Sequence, residues 1–160
     1  MRGRDSFNKY RGLLLLLSKT IGLFPRQFRL FLFETTRNLP GKIGLATRYV
    51  LLKTVAKAVG DNVAVFPMVV LKNVSNLEIG SNVSIHPYSY IDAMGGVVIG
   101  DDVSFGHGLS ILSFEHCFSK IDVPIKDQGS IMKPVRIDSN VYTGAKVTIL
   151  GNVTIGWVQS

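Results

Sequence analysis

His86, His107 and His116, the single Cys117 and a few carboxylates are the residues of this chain with chemistry to offer. His116 has the most suggestive position. It opens a break, Cys117–Lys133, in an otherwise regular apolar pattern, and long irregular segments inside compact domains commonly carry function. Imidazole titrates near neutrality, so His116 could act as a general base that removes a proton from an attacking group. Glu115, just before it, would either raise its basicity or face water, since neighbours on an extended strand point to opposite sides. Cys117 places a thiol nucleophile beside a histidine base. The histidines are 21 and 9 residues apart, with no closely paired ligands on one strand, so no metal site is expected. One cysteine also excludes an intrachain disulfide framework and a CxxC zinc site.

The elements that must position these residues follow from an internal repeat. Residues 59–78, 79–98 and 99–118 are three copies of one pattern, with Val59, Ile79 and Ile99 at 20-residue spacing. Val65, Ile85 and Phe105 share that spacing, as do Leu71, Ile91 and Ile111, so apolar residues within a unit are six apart. After the break the pattern resumes at Ile137, Thr143, Ile149 and Ile155. A six-residue apolar period belongs to neither a helix nor a hairpin; it is one flat side of a solenoid. Three hexapeptides make a triangular coil, with the apolar residue of each pointing inward. Gly or Asp at the next position is expected to turn the corner, since both tolerate positive φ better than most residues. The two extra residues per unit fit corner insertions near Asn73–Asn76 and Ala93–Gly96.

Of the 160 residues, the first 57 hold twelve Lys and Arg against two Asp and Glu, and the remainder holds six against nine. The high isoelectric point therefore describes one end of the chain. A nucleic-acid module would carry its basic surface on the folded body, with aromatic residues beside it; this body is mildly acidic, so no nucleic acid is expected. Three helices are expected in the basic segment, over about 9–23, from Pro25 to about Thr36, and from beyond Pro40-Gly41 to about Ala58. Phe24, Phe28, Phe31, Leu32 and Thr35 fall on one side of the second. Residues 1–57 then form a basic amphipathic helical segment, either a peripheral anchor on an anionic membrane face or a cap on the body. Arg2, Arg4, Lys9 and Arg11 before Leu13–Leu17 imitate a signal peptide, but the apolar run is too short and no cleavage site follows. The chain reads as cytoplasmic and unprocessed, with possible contact at the inner membrane face.

The segments GGVVIGDDVSFGHGLSILSFEH and KPVRIDSNVYTGAKVTILGNVTIG resemble the hexapeptide-repeat acyltransferases, and within them the sugar and polysaccharide O-acetyltransferases. The resemblance covers about residues 57–156. It implies a mainly β fold, a left-handed parallel β-helix over 58–160 with an inserted loop at 117–133, preceded by the α-helical segment. It implies acetyl-CoA as co-substrate, a sugar or surface-polysaccharide precursor as acceptor, and a homotrimer with active sites between subunits. His116 takes the place of the catalytic base, in direct transfer without an acyl-cysteine. Asp92 and His107 fall where acceptor-binding residues are expected. Tyr142, Gly144 and Ala145 match the segment along which the pantetheine arm lies, and Lys126 or Lys133 could meet the CoA phosphates. Thr143 puts a hydroxyl where an alkyl group is usual. The resemblance also leads one to expect coils beyond Ile155-Gly156, so that the core end stands open unless Trp157 folds over it. A catalytically inactive remnant or trimeric assembly subunit is then the competing reading, and a serine-type or amino-sugar N-acetyltransferase a further one.

Overall fold

A computed structural model describes residues 3–156. Trp157, expected as a lid on the last coil, lies outside the described residues. Three helices, α1 (Gly3–Gly22), α2 (Arg26–Thr35) and α3 (Gly41–Val55), precede the β region. The first coil contributes β1 (Ala58–Val59), β2 (Ala64–Val65) and β3 (Val70–Lys72). The second gives β4 (Leu77–Ile79), β5 (Ser84–Ile85) and β6 (Tyr90–Asp92), and the third β7 (Val97–Ile99), β8 (Ser104–Phe105) and β9 (Ser110–Leu112). An excursion, β10 (Phe114–His116) and β11 (Ser130–Met132), leaves the solenoid before β12 (Val135–Ile137), β13 (Tyr142–Thr143), β14 (Thr148–Ile149) and β15 (Thr154–Ile155) complete it.

These strands form a three-sided prism. The first face is β1-β4-β7-β12-β15, the second β2-β5-β8-β13 and the third β3-β6-β9-β14, every pair parallel. With its helical segment, this is the left-handed β-helix fold. The register reproduces the repeat: Val59, Ile79, Ile99, Ile137 and Ile155 align on the first face. Val65, Ile85, Phe105 and Thr143 align on the second, and Leu71, Ile91, Ile111 and Ile149 on the third. Ile85, Ile91, Phe105 and Ile111 have no exposed surface. Each such side chain contributes roughly 2 kcal/mol of burial, which is what makes a six-residue period worth keeping.

Chain length varies at only one of the three corners. Aligned residues are six apart from first face to second and from second to third, as in Ile79, Ile85 and Ile91. From third face back to first, Leu71 to Ile79 and Ile91 to Ile99 are eight apart, Ile111 to Ile137 twenty-six, and Ile149 to Ile155 six.

The corners correct one expectation. Gly60, Gly80 and Gly100, next after the inward residues, do not supply the positive φ. That falls two residues later, on Asn62 (55°), Asn82 (59°), Asp102 (56°) and Asn140 (61°). The glycines are there for close stacking: a Cβ on Gly60 would lie 2.5 Å from the Gly80 carbonyl carbon, and one on Gly100 2.6 Å from the Ser139 nitrogen. Asn62 also donates through Nδ2 to Asn82 Oδ1 at 3.0 Å, linking successive corners.

Thr143 interrupts the inward stack. It is buried opposite Phe105, and its Oγ1 has no hydrogen-bond partner. Thr143→Val keeps the shape and removes the unsatisfied hydroxyl. It is expected to stabilise the protein by about 1 kcal/mol, seen as a higher Tm in thermal unfolding. An unchanged or lower Tm would show that the hydroxyl is not a cost.

The helices close the first coil. Tyr49, Leu52 and Val55 of α3 are buried in the same apolar cluster as Val63, Val65, Val69 and Leu71. α1 begins at Gly3, earlier than expected, with Asp5 in its first turn favourable to the helix dipole. α3 ends at Val55, short of Ala58, because Ala56 is extended and Lys57 already donates its backbone N–H to Val74 and Leu77 carbonyls. On α2 the buried residue is Phe33, while Phe28 and Phe31, and Phe24 just before the helix, are exposed. Arg48 of α3 is 1% exposed, and its guanidinium is held by main-chain carbonyls among the described residues. Its Nε donates to Val65 O at 2.7 Å, and Nη1 to Arg37 O at 3.1 Å and Leu39 O at 2.8 Å. One guanidinium thus ties the α2–α3 junction to the first coil.

Candidate functional site

The variable corner carries His116. The break expected as a loop from Cys117 is a β-hairpin that starts earlier, with Phe114 opposite Met132, Glu115 opposite Ile131 and His116 opposite Ser130. Its root is fixed by Ser113, which is fully buried. Ser113 Oγ donates to Asp92 O at 2.8 Å and accepts from Gly95 N at 2.9 Å, and Lys133 N donates to Ser113 O at 2.8 Å. Gly95 is required there by space, since a Cβ would come within 2.7 Å of the Lys133 nitrogen. The hairpin is therefore held at its base by the coil beneath it.

On this arm the His116 ring is exposed and meets Phe114 edge-on, with centroids 5.8 Å apart. Ser130 Oγ is 3.4 Å from Nδ1, at the long end of hydrogen bonding. Such a contact on Nδ1 leaves Nε2 open to an incoming hydroxyl. Glu115 does not reach the imidazole by any described hydrogen bond; its carboxylate pairs with Lys133 Nζ at 2.5 Å. The same pair occupies Lys133, one of two lysines considered for CoA phosphates. Cys117 is half-buried, and its backbone N–H donates to Gly129 O at 3.0 Å, closing the hairpin above His116.

Asp92 belongs to the same corner as His116, but its carboxylate is engaged in the coil. It is 8% exposed, accepts from Asn73 Nδ2 at 2.6 Å and Met94 N at 3.1 Å through Oδ1, and from Tyr90 OH at 3.4 Å through Oδ2. Burial, then the Asp92 charge and hydrogen bond, push the Tyr90 phenol above its ordinary value. Within this chain Asp92 organises the corner.

Tyr142, Gly144, Ala145 and His107 lie together at another edge, between the second and third faces. Tyr142 is 77% exposed and aligned with Ser104. The next coil side by side places Gly106 against Gly144: a Cβ on Gly106 would sit 2.5 Å from Gly144 O. His107 O accepts from Lys146 N at 2.8 Å, and its exposed ring flanks this strip. Gly144 has open space where a side chain would project. The strip is thus flat, exposed and backbone-lined. His86 lies on the same edge one coil earlier, where Pro87 O accepts from Gly108 N at 3.0 Å, and its ring meets Phe66 at a tilt with centroids 4.8 Å apart.

His116 and Asp92 share one corner without touching each other by any described contact, His107 lies beside Tyr142–Ala145 at another corner, and the two groups stand at opposite edges of the third face. Sequence reasoning missed Ser113 and Ser130, the residues that hold the arm and flank the imidazole. Ser113 carries a readable signal, standing 20 residues after Ala93 in a buried small-residue column. Among the described residues no cluster of His, Cys, Asp and Glu is arranged to hold a metal ion.

No family model matches the chain. A 46-residue stretch is 48% identical to a probable acetyltransferase of Mycobacterium tuberculosis, covering 29% of this chain and 15% of that protein's length. The chain thus matches only a small part of this curated relative. A hexapeptide-repeat-containing acetyltransferase from Vibrio cholerae, solved in complex with acetyl-coenzyme A, superposes with a TM-score of 0.69 at 23% identity, over 82% of this chain and 69% of that one. A second structure of that Vibrio cholerae protein gives 0.69 at 24% identity, over 82% and 72%. These likenesses establish a common fold.

Proposed function

We propose that this chain is an acetyl-CoA-dependent O-acetyltransferase that modifies a hydroxyl of a sugar or surface-polysaccharide precursor, working as a homotrimer. The observation that carries this reading is the split of the site residues between two edges. A base on one edge and a flat backbone strip on the next form a single cleft only when the edge of one copy meets the other edge of its neighbour. Three copies around an axis satisfy every edge in the same way. The hairpin arm suits such a role, because Phe118, Ile121 and Ile125 at its tip are exposed.

In the assembled cleft the pantetheine arm runs along Tyr142–Ala145, where Gly144 offers no side-chain obstacle. The neighbour's His116 takes the proton from the acceptor hydroxyl through Nε2 as the oxygen attacks the thioester carbonyl carbon. The carbon–sulfur bond breaks, the acetyl group passes to the acceptor oxygen, and the proton leaves with the CoA thiol. No acyl-enzyme is formed, so Cys117 has no covalent role. His107, beside the strip, contacts the acceptor, and Asp92 supports the acceptor side by holding the coil under the arm.

Titration of acetyl-CoA into the purified chain by calorimetry, with sedimentation on the same sample, tests the reading without knowledge of the acceptor. Saturable binding near one site per chain, in a trimer, is the expected result. A folded trimer that takes up no acetyl-CoA would overturn the enzymatic reading in favour of an inactive assembly subunit.

A further inference from the structure

α2 is an amphipathic helix turned inside out. Its cations serve the interior: Arg26 Nη2 donates to Val55 O at 3.4 Å and Arg29 Nη1 to Thr54 O, so both guanidinium groups cap the carbonyl end of α3. A positive charge at a helix C-terminus is favourable. Arg37 is taken up by Glu34. With the arginines held on the end of α3, Phe28 and Phe31 of α2 and Phe24 just before it face outside, and Phe31 is 61% exposed. Phe24 and Phe28 pack on each other, centroids 5.6 Å apart, without a cover.

The apolar surface does not stop at α2. α1 exposes Leu13, Leu16 and Leu17, and Ile43 at the start of α3 is 79% exposed. Leu17 and Ile43 line, together with Leu32 of α2, a groove of about 400 Å³ where the three helices meet. Exposed apolar side chains gathered on three adjoining helices mark an interaction site.

Charge decides what covers it. Many cations of residues 1–57 are engaged within the chain, Arg26, Arg29 and Arg48 on main-chain carbonyls, Arg11 and Lys53 on Asp61, Arg37 on Glu34 and Lys57 on Glu78, so the charge that matters is that of the exposed lysines beside the apolar side chains. Lys19 follows Leu16 by one helical turn, Lys42 adjoins Ile43, and both are exposed. A second copy laid on this face would set the exposed Lys19 and Lys42 against like charges. An anionic lipid surface satisfies both features, taking the Phe and Leu side chains at the acyl boundary and the lysines at the headgroups. No helix among the described residues is long and apolar enough to cross a membrane, which fits a surface-lying mode. We propose that the outward faces of α1, α2 and the start of α3 form a docking surface for anionic phospholipid bilayers. This assignment is independent of the acyl-transfer reading.

The test is co-sedimentation of the full chain with phosphatidylcholine vesicles, with or without phosphatidylglycerol, at low and high salt. Binding is expected only with phosphatidylglycerol, and high salt should weaken it. Replacing Phe24, Phe28 and Phe31 together with Ser is expected to lower partitioning at least about tenfold. Lys19→Gln with Lys42→Gln should lower it by about tenfold, on a separate set of side chains that cannot disturb an apolar core. Thermal unfolding and sedimentation of each variant control for fold and assembly. Equal binding to uncharged vesicles, or none by the folded wild-type chain, would overturn the proposal. So would conversion of an oligomer to smaller species by the Phe→Ser variant when the wild-type chain ignores vesicles, since the patch would then be an interface between copies.

Discussion

His116→Ala is expected to lower kcat for acetyl transfer by about 100- to 10,000-fold, the usual contribution of a positioned general base. The side chain is exposed on a hairpin, so its loss leaves no cavity and breaks no core contact. Its described polar contact is the long one with Ser130 Oγ, at 3.4 Å. The variant should therefore keep the Tm, the oligomeric state and the acetyl-CoA affinity of the wild type. That combination separates a base from a scaffold residue. Turnover equal to wild type, measured as release of the CoA thiol once an acceptor is found, would remove His116 from the mechanism. Parallel loss of acetyl-CoA binding would instead assign it to cofactor contact.

Arg48→Met carries the largest expected effect on stability, a loss of about 3 kcal/mol. For a chain of this size that lowers Tm by roughly 6–12 °C. Exchanging a whole buried ion pair for apolar residues can be neutral. Here the partners are the main-chain carbonyls of Arg37, Leu39 and Val65, which remain behind when the guanidinium goes. Burial pushes the Arg48 guanidinium below its ordinary pKa and leaves Nη2 without a partner, so the site already bears a desolvation cost that three charge-assisted hydrogen bonds counter. Lysine should rescue only part of the loss, because a point charge cannot span both the helix junction and the first coil. Hydrogen exchange should show earlier opening of α2 and α3 than of the central strands. A Tm unchanged in Arg48→Met would mean that the junction is held by packing alone.

The solenoid was readable because its period is enforced by burial. Val59, Val65 and Leu71 repeat in three equal copies, and the restart at Ile137, Thr143, Ile149 and Ile155 lands in register with the coils before the arm. Thr143 was also recognisable as an unsuited hydroxyl, and its unbonded Oγ1 agrees. Turn chemistry was misread in part. Glycine suggests positive φ, but at Gly60, Gly80 and Gly100 the demand is closeness between coils, a property of two chain segments that one segment does not display. The hairpin was missed because its strands have three residues each, too few to show alternation. On α2 the helical period separated Phe from Arg correctly, yet which side faces in depends on the carbonyls of Thr54 and Val55, more than 20 residues away. The placement of His116 and Tyr142 at different edges follows from counting sixes along the chain. What no single chain's pattern supplies is the neighbour that would join them.

The corner that alone varies in length has a consequence for how such a chain can change over time. Closing a longer loop costs only about 0.6 kcal/mol for each doubling of its length, so additions there are thermodynamically mild. At the other two corners a single added residue would shift every later strand out of its stack and turn Ile and Val outward. Novelty in this architecture is thereby channelled to one ridge, where an arm can lengthen, exchange its side chains or acquire a new acceptor preference. The sheets behind that ridge, bound by registers such as Ile99 with Ile137, experience none of it.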